Sequence, residues 1–376
     1  MNPILDITKQ GQSIWYDYIQ RALIWTGALY KMMKEDGLKG VTSNPAIFEK
    51  AIGQSKDYQA AVKGVVRSGS STVQTFERVA IHDIQLATDV LHQVYEETGG
   101  RDGYVSFEVS PHLAQDTEAT SKDAKRLWDQ ISRDNLMIKI PATPEGLPSI
   151  ERAIADGINV NITLLFAVEA YERVHEAYMS GLEKLIQKGG DPSRVASVAS
   201  FFVSRIDSLV DKMIDDRLPK ATSEDQKRKL ESLRGKVAIA NAKVAYHSYL
   251  KTIETPRWKA LAAKGARTQR LLWASTGTKN PAYRDVLYVE ELIGRDTVNT
   301  VPEATYNAFK DHGKVRASLT ENVGEAQRIM ASLSEVDISM KAVTDKLLVD
   351  GVILFKEAFD RLMNAVEKRR KEILGS

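Results

Sequence analysis

The chain has 376 residues, 43% hydrophobic and 27% charged, with 52 basic residues against 50 acidic ones and no cysteine. A formal net charge of +2 leaves no surplus to favour nucleic acid. The lack of cysteine excludes disulfides, zinc–thiolate sites, iron–sulfur clusters and thiol nucleophiles together.

Short β-type runs alternate with longer amphipathic stretches, the pattern of parallel βαβ units. The spacing predicts strands at 13–17 and 38–42, then helices over 45–67 and 72–98 split by Ser68-Gly69-Ser70-Ser71. Strands follow at 104–109, 136–140, 158–163 and 195–200. Helices over 205–218 and 223–253, broken at Pro219, lead to strands at 271–275 and 297–301. The last predicted helix runs from 343 to 373, with Leu347, Leu348, Phe355, Phe359, Leu362 and Val366 at helical spacing, which suits packing on a barrel. Its basic end, Glu367-Lys368-Arg369-Arg370-Lys371, reads as a solvated terminus whose cations suit the helix dipole.

Eight strands is the count that closes a (β/α)8 TIM barrel of the α/β class. An open doubly wound sheet shares that count, but no Gly-rich dinucleotide fingerprint follows any strand. The expectation is one barrel domain over 1–376, with helical insertions at about 45–98 and 205–262 outside the barrel and a C-terminal helical segment at about 303–376. No apolar run approaches the roughly 18 residues of a membrane span. The start, Met1-Asn2-Pro3-Ile4-Leu5-Asp6, lacks the basic flank and apolar stretch of a signal peptide, so the chain reads as cytoplasmic.

Three strands carry polar residues on the face that should point inward. Val105, Phe107 and Val109 share one face, and Ser106, Glu108 and Ser110 the other. Leu136, Ile138 and Ile140 oppose Met137 and Lys139; Ile158, Val160 and Ile162 oppose Asn159, Asn161 and Thr163. The apolar faces belong against helices, which turns Glu108, Lys139, Asn161 and Thr163 into the barrel. Burial disfavours a charged amine and makes a nucleophile of it. A structural Lys139–Glu108 ion pair is the alternative. The asparagines and threonine beside that pair suggest a hydroxylated ligand instead, and barrel sites form at these C-terminal strand ends.

Asp17 ends the first strand, and Asn44 precedes Pro45 at a predicted helix start; by spacing alone such a residue is more often a cap or turn residue than a catalytic one. Ser200-Phe201-Phe202-Val203-Ser204-Arg205 runs from the sixth strand into a helix, where Arg205 could add its guanidinium to free backbone N–H groups to bind phosphate. Lys279 occupies the loop after the seventh strand, another common phosphate position; either cation could instead be an ordinary surface charge. The histidines show no metal-ligand spacing, and His112, the one near Glu108, reads as structural. No P-loop, Ser-His-Asp arrangement or carboxylate metal loop is present, so neither cofactor nor metal is expected.

Taken in order, these segments resemble the transaldolase family. Gly40-Val41-Thr42-Ser43-Asn44-Pro45-Ala46-Ile47-Phe48 is similar to its first signature, and Leu136 to Gly146, reading LMIKIPATPEG, to its second. Gly157 to Thr163 and Ser200 to Arg205 match as well, so the resemblance spans roughly residues 13 to 302. The C-terminal part resembles the longer bacterial-type branch more loosely.

The resemblance implies a cofactor-free transfer of a dihydroxyacetone unit between sugar phosphates in the pentose phosphate pathway. The donor would be sedoheptulose 7-phosphate or fructose 6-phosphate, and the acceptor glyceraldehyde 3-phosphate or erythrose 4-phosphate. It further implies that Lys139 forms a Schiff base, that Glu108 and Thr163 hold a proton-shuttling water, and that Asp17 is the base at the C4 hydroxyl. Asn44, Asn161 and Ser200 would bind the three-carbon enamine, and Arg205 the phosphate. Lys279 stands where the better-known branch has an arginine, and Phe202 where related fructose 6-phosphate aldolases tend to carry tyrosine. Such an aldolase, or a catalytically silent sugar-phosphate-binding barrel, is the alternative. Oligomeric state is not legible.

Overall fold

A computed structural model describes residues 2–375. Eight parallel strands close into a barrel in chain order: β1 (Gln12–Tyr16), β2 (Gly40–Thr42), β3 (Tyr104–Glu108), β4 (Leu136–Pro141), β5 (Val160–Leu165), β6 (Ser197–Phe202), β7 (Arg270–Ala274) and β8 (Thr297–Val301). The last strand returns to β1 over its whole length, Gln12 opposite Thr297 through Tyr16 opposite Val301. All eight predicted strands are present; β8 has its predicted bounds and the ends of the others move by at most two residues.

Those shifts have local causes. Ile158 and Asn159 precede β5, because Asn159 spends its amide on the carbonyls of Asp134 and Leu136 and accepts from the Ala196 amide, tying three strand starts together. At its other end β5 runs on to Leu165 through a register shift, with Leu164 left-handed at φ 62°. β7 begins at Arg270, one residue before the predicted start. That residue faces inward and pairs with Asp102 at 3.0 Å, and the pair also engages the Ser13 hydroxyl and the Trp15 indole. The barrel floor is therefore a buried polar plug.

Both insertions are helical as predicted: Pro45–Gln54, Gln59–Arg67 and Thr72–Glu97 in the first, Ser204–Arg217, Glu224–Leu233, Val237–Ile253 and Pro256–Ala262 in the second. The C-terminal helix, Met340–Leu374, packs on Pro45–Gln54 and Thr72–Glu97 and crosses the end of β5. Gly351 lies at that crossing, where a Cβ would sit 2.9 Å from Leu164 Cδ2 and displace that methyl group. Of the predicted stripe, Leu347, Leu362 and Val366 are buried, and Leu348, Phe355 and Phe359 pack against the core at its margin.

The basic end of this helix is not merely solvated. Arg369 donates to the carbonyls of Gly53 and Ser55, Arg370 donates to that of Ser70, and Thr72 bonds Glu367. Neighbouring carbonyls at a helix end and a loop lie within reach, and guanidinium forks satisfy them better than scattered water does. Among the described residues no helix is long and apolar enough to cross a membrane.

Candidate active site

A cavity of about 320 Å³ opens at the C-terminal ends of the strands. Asp17, Asn44, Lys139, Thr163, Ser200, Phe202, Arg205 and Lys279 line it, which brings together most of the residues singled out above. Glu108 and Asn161 stand behind that wall, in contact with its members.

Lys139 projects inward from β4, its side chain 7% exposed. Its amine donates to the Ser43 carbonyl at 3.0 Å and lies 3.5 Å from Glu108 Oε2. Burial pushes the Glu108 carboxyl up to about 7, against the opposing pull of the Lys139 charge. Glu108 Oε2 and Thr163 Oγ1 are both buried and take no hydrogen bond from the protein. Two such oxygens beside one amine are unusual in a finished core, where buried polar atoms are nearly always paired.

Asp17 follows β1, fixed by its amide to the Val301 carbonyl, and accepts from Thr42 Oγ1 at 2.6 Å. Burial raises its pKa, while the Thr42 bond and the charges of Lys139 and Lys279 work the other way. Asn161 joins the opposite wall: its amide donates to Ser106 Oγ at 3.0 Å and its carbonyl accepts from Ser200 Oγ at 2.6 Å. Asn44 is a helix cap that also reaches the cavity. Its carbonyl oxygen caps the Pro45–Gln54 helix by accepting from the Ile47 amide, and the residue lines the cavity as well.

Arg205 sits in the first turn of the Ser204–Arg217 helix with its guanidinium 5.4 Å from the Phe202 ring centroid. Burial lowers its pKa. Among the described residues neither Arg205 nor Lys279 has an ion pair or hydrogen bond within the protein; both face the cavity, where the Asp17 carboxyl feels the Lys279 charge. His112 lies away from the cavity wall and pairs with Asp360 at 2.8 Å on the C-terminal helix.

Sequence reasoning missed part of the wall. Thr42 and Thr300 face inward and bond each other at 2.6 Å; strand alternation within Gly40–Thr42 could have placed the first. Leu354, Phe355, Ala358 and Arg361 of the C-terminal helix close one side. The apolar stripe marked that helix as packed, but nothing in its periodicity says it crosses the mouth rather than the barrel's flank. Among the described residues no group of three or more His, Asp or Glu side chains could hold a metal ion.

Such a barrel, with a buried amine, two desolvated carboxylates and two free cations at its mouth, defines a class of enzyme suited to anionic carbonyl compounds. The chain belongs to the transaldolase/fructose-6-phosphate aldolase family, whose model matches residues 14–366. It is 50% identical to a transaldolase of Trichodesmium erythraeum over 99% of this chain and 98% of that one. It is 50% identical to transaldolase 2 of Nostoc punctiforme over 98% of both chains. A Thiobacillus denitrificans transaldolase is 44% identical over 96% of this chain and 99% of its own. The activity is that of a transaldolase.

Proposed function

We propose that this enzyme transfers dihydroxyacetone from sedoheptulose 7-phosphate or fructose 6-phosphate to glyceraldehyde 3-phosphate or erythrose 4-phosphate, through a Schiff base on Lys139. The observation that carries the reading is the buried Lys139 amine, 3.5 Å from a Glu108 carboxylate oxygen that has no hydrogen-bond partner. An amine attacks a carbonyl only when neutral, and a carboxyl poised at about 7 can take its proton. The attack forms a carbinolamine; Glu108 returns a proton, through a water shared with Thr163, to the leaving hydroxyl, and water departs. The protonated imine then accepts the electron pair of the C3–C4 bond while Asp17 removes the C4 hydroxyl proton. The first aldose leaves, and an enamine remains on Lys139.

Asn44, Asn161 and Ser200 hold the hydroxyls of that enamine, so Ser200 and Asn161 give up part of their mutual bond on binding. Asp17 returns its proton to the acceptor's carbonyl oxygen as the new carbon–carbon bond forms, and hydrolysis of the imine releases the product ketose. Arg205 and Lys279 take the substrate phosphate. Phe202 gives water no polar partner near the enamine, which favours transfer over free release. The cytoplasm is the compartment we assign, since phosphorylated sugars of the pentose phosphate pathway do not cross bilayers.

Borohydride reduction with fructose 6-phosphate, followed by peptide mapping, tests the central step. The label should fall on Lys139, and Lys139→Ala should abolish both label and transfer while the fold is kept. Lys139→Arg should be equally inactive, because a guanidinium stays protonated. A label on another lysine would remove the reading.

A further inference from the structure

After β7, the stretch 275–283 carries Lys279, and both ends of that stretch are fastened to the Ser204–Arg217 helix that carries Arg205. At the near end, the Ser204 amide donates to the Ser275 carbonyl at 3.1 Å and the two hydroxyls lie 3.0 Å apart. At the far end, the Tyr283 hydroxyl donates to Asp211 Oδ2 at 2.5 Å, and the other Asp211 oxygen accepts from the Gly235 amide at 3.3 Å. Asp211 is 7% exposed, two turns down the helix from Arg205.

Gly235 makes room for that tyrosine. Its backbone is left-handed at φ 63°, and a Cβ there would lie 2.8 Å from Tyr283 Cζ, too close for any side chain to share the site with the ring. Between Lys279 and Tyr283 the chain is a tight turn. The Asn280 side chain accepts from the Ala282 amide at 3.0 Å, and its carbonyl accepts from the Tyr283 amide at 3.1 Å. A displacement of Tyr283 is therefore transmitted to Lys279, four residues before it.

We infer that Asp211 and Tyr283 form a latch that sets the position of Lys279 relative to Arg205, so that the two cations meet one phosphate. Both are positioning residues, outside the cavity wall. The inference rests on the reading of Lys279 as a phosphate contact. A tyrosine on a buried carboxylate within a helix would otherwise be an ordinary packing contact. What sets it apart is that helix and loop each end in an unpaired cation at the same cavity.

The test compares Tyr283→Phe, Lys279→Ala and the double variant, with fructose 6-phosphate and with unphosphorylated fructose. Tyr283→Phe keeps the ring and loses one hydrogen bond, so KM for the phosphorylated donor should rise roughly threefold to tenfold with kcat within about twofold. Values for fructose should stay the same. In the Lys279→Ala background the second substitution should add nothing, since the group it positions is gone; a general loss of packing would add its own effect. Hydrogen exchange over 276–282 should quicken in Tyr283→Phe. If Lys279→Ala raises KM and Tyr283→Phe does not, the latch is overturned whatever the exchange shows. If Lys279→Ala leaves KM unchanged, the phosphate reading fails first and the positioning claim falls with it.

Discussion

Glu108 is held between two opposing effects: burial, which favours the neutral acid, and the Lys139 charge, which favours the carboxylate. Burial wins, and the folded value of about 7 stands above the ordinary 4.5. Between those values the folded protein holds this proton more tightly than the unfolded chain does. The stability it contributes is thus fully present below the unfolded value and is lost as pH rises through about 7. Glu108→Gln cannot ionise, so its Tm relative to the wild-type protein should improve from about pH 5 to about pH 8. Scanning calorimetry at the two pH values checks the sign, and an unchanged difference would mean that Glu108 is ionised throughout. Phe202 poses the residue-scale question of specificity. It is 7% exposed, its ring tilted against Phe166 at 5.3 Å and beside Arg205, with nothing polar on its ring. Phe202→Tyr should raise free dihydroxyacetone relative to transfer, because a hydroxyl gives water a partner near the enamine. Product measured with and without acceptor aldehyde decides it; an equal ratio in an active variant would relieve Phe202 of that role.

At the scale of elements, alternation did most of the work that sequence could do. In β3, β4 and β5 it turned Glu108, Lys139, Asn161 and Thr163 inward, and each is there, because a strand covered by helices leaves its polar face no other place. What it could not give were features set by contacts distant in sequence. Arg270 at the start of β7 pairs with Asp102 across the floor, 168 residues away in sequence. The C-terminal helix crosses the mouth where Gly351 meets Leu164 at the irregular end of β5, a match of two positions that no period encodes. The Ser204–Arg217 helix was easier to read, since a strand followed at once by a helix start with arginine in its first turn is a local pattern. Its prediction is also local. The phosphate is remote from the bond that breaks, so its contacts are made in ground and transition states alike. Arg205→Ala should therefore raise KM for phosphorylated sugars and lower kcat/KM roughly tenfold to a hundredfold, with a smaller effect on kcat. Kinetics on an unphosphorylated ketose should hardly change. If both substrates lose activity equally, Arg205 supports the site's shape and does not bind phosphate.

At the scale of the whole molecule, the C-terminal helix joins parts that the barrel alone leaves separate. It touches β5 at Gly351, walls the cavity with Phe355 and Ala358, and sets Phe359 edge-on to Phe76 at 5.9 Å. Its last turns bury Leu362 and Val366 and end on Arg369 and Arg370, which hold the carbonyls of Gly53, Ser55 and Ser70. We propose that barrel, insertions and helix unfold together, as one domain. The transition followed by tryptophan fluorescence, to which Trp15 inside the barrel and Trp273 on the helix-covered face of β7 contribute, should then coincide with loss of helical circular dichroism. Removing both arginine staples in Arg369→Ala/Arg370→Ala costs a few charge-assisted bonds at a partly buried surface. Tm should fall by about 2–4 °C with a single transition kept, and kcat at 25 °C should stay within about twofold, since neither side chain reaches the cavity. Two separate transitions in the wild-type protein would show that the helix is an appendage. An unchanged Tm in the double variant would show that the hydrophobic stripe alone holds the helix down.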